Sequence, residues 1–206
     1  MKCIKTNFVP LNFPPNLTIV ATMNTSDQNV FTMDTAFQRR WQMEHIPNKF
    51  DFNTAHVNKH LPNSEISWGV FAQTINKKMH TANLGFGGTE DKSLGVYFAT
   101  DNDLDDAERF AEKVLKYLWD DAFKLGRKEL FNDCGQGLSA VIEAYEDAKG
   151  DPLKMVLVPE VYNEMQKKMA EMAAEQAQTA EEEKSEEEAA ESAAEDNPAQ
   201  KPAGEE

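Results

Sequence analysis

Apolar residues fall along this 206-residue chain in three successive patterns. Leu17 to Thr22 is a short β-branched run, apolar on both faces, which predicts a strand buried inside a parallel sheet. It gives way to the polar cluster 23–29, which has the composition of a loop at a strand's C-terminal edge. A short helix follows over Thr32 to Arg40, with Thr32 or Asp34 as cap and Arg39–Arg40 closing its last turn, where cations suit the helix dipole. Trp41 to Pro47 alternates in character and predicts a second strand that stops at the proline.

Beyond Phe50 the period becomes helical. Ile66, Val70, Phe71, Ile75 and Met79 share a face of a helix expected from about Ser64 to Thr81. Gly85, Gly87 and Gly88 interrupt, and Glu90 to Ala99 reads as a turn leading into a short extended piece. Ala107, Phe110, Ala111, Val114, Leu115 and Leu118 form an apolar stripe opposite Glu108, Glu112 and Lys116, with Asp103 as its expected N-cap. The segment Val114 to Asp121 superficially suggests a buried strand followed by a metal-holding acidic pair. The helical stripe runs through it, so Asp120 and Asp121 are expected to be solvated helix residues. Shorter helical candidates are Lys124 to Phe131 and Leu138 to Ala148, and a last helix is expected from about Pro159 to Met172.

The formal charge of −15 adds less than it suggests. Roughly ten of those charges lie after Met172, in a Glu, Ala and Ser run that predicts a disordered acidic tail. The remaining body is mildly acidic and lacks the clustered Lys and Arg that would grip phosphate backbones, so any DNA contact is expected to be indirect. Cys3 and Cys134 are the only cysteines and have no ligand partners at metal-site spacing, which predicts free thiols and no protein-bound metal. No apolar run approaches membrane-span length, so a cytoplasmic chain with no membrane partner is expected.

The order Met23-Asn24-Thr25-Ser26-Asp27, then Asp34, Ala36 and the Arg39–Arg40 pair, resembles the dynein-related, McrB-like branch of AAA motors. The resemblance implies that Asn24 is sensor one, with Asp27 completing its signature, and that Arg39 and Arg40 are arginine fingers reaching a neighbouring subunit's nucleotide. A rigid neutral amide can orient the attacking water, and a guanidinium can stabilise charge on a transferring phosphoryl group. Gln28 stands where McrB proteins carry an arginine, so no role for that arginine is carried over. Residues 66–131, through the Asp91-Lys92-Ser93-Leu94-Gly95 turn, resemble the same branch's helical lid, which makes Lys92 a candidate sensor two beside the nucleotide.

The fold class so implied is α/β: the C-terminal remnant of a P-loop AAA+ parallel sheet (residues 1–50), a helical lid (51–135), additional C-terminal helices (136–172) and the acidic tail (173–206). The implied cofactor is ATP or GTP with Mg²⁺, and the implied partners are other AAA+ subunits in a ring and a nuclease or McrC-like protein. No Gly-Lys pair occurs in the chain, so there is no phosphate-cradling G-x-x-x-x-G-K-[ST] loop, and no acidic pair follows a buried strand. Met1 therefore falls inside the expected domain, as in a truncated gene or a fragment, and hydrolysis by this chain alone is not expected. The alternative reading is a non-hydrolytic adaptor that completes a partner's nucleotide site in trans.

Overall fold

The computed structural model describes residues 14, 16–22, 34–82, 92–132 and 137–195, with side-chain surroundings through residue 178. The chain divides into two compact units, Met1–Met43 and Glu44–Glu206, and each is described by itself.

In the first unit the expected buried strand is absent. Residues 17–22 carry no strand pairing, and their apolar side chains face outward, Ile19 at 53% and Val20 at 86% exposed. The second expected strand, Trp41 to Pro47, is likewise irregular, with Ile46 79% exposed. These findings overturn the α/β assignment: no strand or sheet occurs among the described residues, whose only β pairings are two isolated bridges. A β-branched run has strand character only where a neighbouring strand takes up its backbone N–H and C=O groups, and none of the described residues does so here. The helical expectation between the two runs is met in shortened form by α1, Thr35–Gln38, whose cap Asp34 accepts from the Ala36 N–H at 3.3 Å.

The second unit is helical. Its elements are α2 (Ala55–Asn58), α3 (Trp68–Thr81), α4 (Asp101–Leu104) and α5 (Ala107–Phe110), followed by α6 (Leu138–Glu146), α7 (Pro152–Val156) and α8 (Pro159–Glu195). The α5 path continues through two π-helical stretches, Ala111–Leu115 and Leu118–Ala122, and closes on the five-residue bond from the Phe123 N–H to the Leu118 carbonyl, 2.8 Å. The Lys124 to Phe131 candidate contracts to one tight turn, Arg127–Glu129.

Periodicity accounts for the core. The face of α3 read from sequence is buried at Val70, Phe71, Ile75 and Met79, and Val114, Leu115 and Leu118 of the next stripe are fully covered. Ring contacts run from Trp68 to Phe71 (6.0 Å), edge-on to Phe110 (5.6 Å) and on to Tyr145 (5.4 Å), joining α3, α5 and α6 through one aromatic column. Asp151 ties three segments together. One oxygen caps α7 at the Leu153 N–H, and the other accepts from Ser64 Oγ at 2.9 Å and from Tyr162 Oη at 3.1 Å.

Val161, Tyr162 and Met165 bury the start of α8, and Met172 still packs against the core. The helix then continues through Glu195, where the sequence expectation was a disordered tail. The composition of that stretch denies it a core, but alanine and glutamate are good helix formers and extend a helix already started by packing. No helix among the described residues is long and apolar enough to cross a membrane.

Candidate functional site

The most heavily built feature of the second unit is the segment from Lys92 to Tyr97, whose carbonyls at alternate residues are each held by side chains from packed elements. The Lys92 carbonyl accepts from Tyr117 Oη at 2.9 Å. The Leu94 carbonyl accepts from Asn76 Nδ2 at 2.9 Å and from Asn48 Nδ2 at 2.8 Å, while the Leu94 N–H donates to Asn76 Oδ1 at 2.7 Å. The Val96 carbonyl accepts from Trp68 Nε1 at 2.6 Å and meets His56 Nε2 at 3.1 Å. Leu94 is fully buried, so its backbone groups have no access to water. The Asn76 amide offers a donor and an acceptor in one plane and stands in for the edge of a strand.

On the outer side of this segment, Tyr97 is 74% exposed and its ring lies against that of His56, 5.3 Å between centroids at 27°. His56 Nδ1 sits 2.6 Å from Asp101 Oδ1 at the start of α4, and the His56 side chain is only 11% exposed. Beside it, Lys59 reaches Asp105 at 2.7 Å and the Asp101 carbonyl at 3.1 Å. The hydrogen bond from His56, above all, holds the Asp101 carboxyl below its ordinary range; slight desolvation works the other way, and the charges of Lys59 and His56 add to the lowering.

Lys92 stands on this built segment, but its ammonium is engaged: it lies 3.0 Å from Asp121 Oδ1 and 3.2 Å from the Asp121 carbonyl. The pair is solvent-exposed, the kind of surface ion pair that contributes little to stability. In the first unit Arg39 and Arg40 are exposed at the end of α1, and Arg40 Nη1 donates to the Ala36 carbonyl of its own helix at 2.5 Å. Asn24 and Asp27 lie outside the described residues, as do Cys3 and Cys134. The two arginines lie in the first unit and Lys92 in the second. Among the described residues no group of three or more His, Cys, Asp or Glu is arranged to hold a metal ion.

Sequence reading missed the clasp of His56, Asn76 and Asp101. One signal was present: Asn76 is a poor helix former in mid-helix, next to the buried stripe residue Ile75, where an amide usually has a partner. His56 and Asp101 are 45 residues apart and carried no local signal.

Over 119 residues the chain is 34% identical to the Type II restriction enzyme BsuMI component YdiS of Bacillus subtilis (strain 168), a match covering 55% of this chain and 33% of that protein. The matched part thus spans about a third of that relative's length. No protein-family model matches the chain, and no solved structure matches it. The likeness is to a restriction-enzyme component and carries no statement about nucleotide hydrolysis.

Proposed function

We propose that this chain works in a DNA restriction system, as part of a McrB-like nucleotide-hydrolysing component that acts beside a nuclease partner. The single observation that carries the reading is the likeness to the BsuMI restriction component. The order of the Met23 to Asp27 signature and the Arg39–Arg40 pair supports the finer assignment to a AAA-type motor using ATP or GTP with Mg²⁺. In that assignment Asn24 and Asp27 serve the nucleotide of their own subunit, and Arg39 and Arg40 serve a neighbour's. Lys92, whose ammonium pairs with Asp121 at 3.0 Å, is the candidate sensor two of that assignment.

A second reading is favoured by the exposure of Arg39 and Arg40 at the end of α1. Here the chain is an adaptor that supplies arginine to a P-loop-bearing partner without hydrolysing nucleotide itself.

Plating efficiency tests the shared part of both. In a host carrying the whole system, loss of this chain should raise the plating of unmodified phage and leave modified phage unchanged. Equal plating of unmodified phage with and without the chain would overturn the restriction role. The finer part is tested in the assembled complex. Arg39→Ala with Arg40→Ala should lower nucleotide hydrolysis with nucleotide binding nearly intact, because the guanidinium meets charge that develops mainly in the transition state. Loss of binding in that variant, or unchanged hydrolysis, would refute the finger assignment.

A further inference from the structure

The His56 ring faces two acceptors. Nδ1 is 2.6 Å from a carboxylate oxygen of Asp101, and Nε2 is 3.1 Å from the Val96 carbonyl. A neutral imidazole carries one N–H and can donate to only one of them, whereas the imidazolium donates to both. The Val96 carbonyl has a second lone pair, already taken by Trp68 Nε1, so it acts as an acceptor toward both rings. The side chain is largely covered, which leaves little room for water to replace a missing donor.

We propose that His56 is a proton-gated clasp: as imidazolium it ties the 92–97 segment to the first turn of α4, and as the neutral ring it holds only one of the two. The proposal does not rest on the nucleotide reading, because every group in it belongs to the second unit.

Charged and titratable groups from three segments face this corner. Asp101 faces the ring directly from α4. Asp105, at the end of the same helix, is balanced by Lys59, which follows α2 and also reaches the Asp101 carbonyl. Tyr97 stacks its ring on the imidazole from the segment itself, a contact that strengthens when the imidazole carries charge. Loss of the proton therefore removes one donor, one ion pair and one cation–π contact from the same corner. Trp68 keeps its hold on the Val96 carbonyl, and Asn76 and Asn48 keep theirs on Leu94, so the loosening is confined to the corner that presents the exposed Tyr97. The consequence is a surface whose order at Tyr97 follows pH.

The test uses the full chain in solution. Long-range ¹⁵N–¹H spectra of the imidazoles between about pH 5 and about pH 9 read the protonation of each ring nitrogen across the histidine range. Both His56 nitrogens are expected to carry hydrogen at the acid end. Amide protection factors, already corrected for the intrinsic pH dependence of exchange, should fall about tenfold at Phe98, whose N–H closes the turn onto the Gly95 carbonyl, in step with the ring. His56→Gln keeps a hydrogen-bonding side chain without titrating, so its protection factors should be flat with pH. Should that variant fail to fold, His45→Gln, His60→Gln and His80→Gln each provide the converse test, and the pH dependence must survive in all three. A single protonated nitrogen on His56 at the acid end overturns the proposal. So does protection at Phe98 that ignores the ring's titration, or a pH dependence that persists in His56→Gln or disappears in one of the other three.

Discussion

Leu17 to Thr22 and Ile66 to Met79 are both rich in apolar residues, yet the structure treats them in opposite ways. In the first stretch Ile19 and Val20 stand open to solvent, while in the second Phe71, Ile75 and Met79 are wholly covered. The difference lies in what each pattern needs in order to be satisfied. A helix closes its hydrogen bonds within itself, so an apolar stripe spaced at 3.6 residues needs only something to pack against. A strand leaves every N–H and C=O open until another strand arrives, so the same apolar content has no fold of its own. Hydrophobicity thus located a core where the bonding was local and failed where it was not.

The sharpest way to break this contrast is to delete comparable side chains from each region. Phe71→Ala removes a ring packed between Trp68 and Phe110 and should destabilise the second unit by about 3–5 kcal/mol in urea titrations. Ile19→Ala, at an exposed position, should shift stability by less than about 0.5 kcal/mol. Comparable losses from the two would mean that Leu17 to Thr22 is packed in solution.

A smaller effect is expected where packing is tightest. An added Cβ at Gly69 would collide with Val57 Cγ1 and come within 2.8 Å of Phe52 Cε1 and 3.1 Å of the Val57 carbonyl. Gly69→Ala should therefore cost about 1–3 kcal/mol, although alanine is the better helix former in isolation. A rise in the melting temperature would show that the α2–α3 contact yields more readily than its geometry suggests.

How much was legible follows the same division. The stripes of α3 and of the helix beginning at Ala107 were readable because each residue's neighbours in space are its neighbours three and four along the chain. The N-terminus of the second stripe was misplaced. Asp103 belongs to the preceding turn, where it completes a capping box with Thr100, and Asp106 caps the stripe through the Arg109 N–H. Both residues suit a cap, and only the fold decides between them. The π-helical stretches had no sequence mark, because a five-residue bond shifts register without changing composition. The acidic tail was read from its inability to bury surface, which says nothing about its helix propensity. Of the candidate site, Lys92 was picked out by resemblance, while its engagement by Asp121 and the clasp around it are long-range contacts that spacing does not encode.

The two regions each contain a capped short helix, which allows a matched test of caps. Partial desolvation pushes the Asp103 carboxyl up, but the hydrogen bonds from Lys113, at 2.6 Å, and from Thr100 outweigh it and hold the group down to about 2. A depressed carboxyl pKa contributes stability that is complete above the ordinary value of 3.8 and is lost as the pH falls through about 2. Carboxyl resonances should place the Asp103 midpoint there, and Lys113→Met should move it upward. At neutral pH, Asp103→Ala should cost the second unit about 1 kcal/mol or slightly more. Asp34→Ala removes the cap of a helix with no buried residue and should leave the urea midpoint unchanged. A carboxyl midpoint near 3.8 for Asp103 would show that the box does not persist in solution.

The smallest expected effect has the opposite sign. Thr74 lies wholly inside the second unit on α3, and its hydroxyl has no hydrogen-bond partner among the described residues. A buried hydroxyl gives up its water without replacement, which costs free energy, whereas a methyl group of nearly the same volume gives up nothing. Thr74→Val should therefore stabilise the unit by about 1 kcal/mol, read as a higher urea midpoint at unchanged slope. Valine also keeps the β-branch, so the helix loses no further rotamer freedom and the comparison isolates the hydroxyl. The same exchange at Thr18, whose side chain is exposed in the first unit, should be neutral within about 0.5 kcal/mol, because that hydroxyl is hydrated before and after folding. If Thr74→Val destabilises, the hydroxyl has a partner in solution, and a buried water bonded to Oγ1 is the first place to look. If Thr18→Val stabilises by as much as Thr74→Val, the first unit buries that position too, and the contrast between the two regions fails.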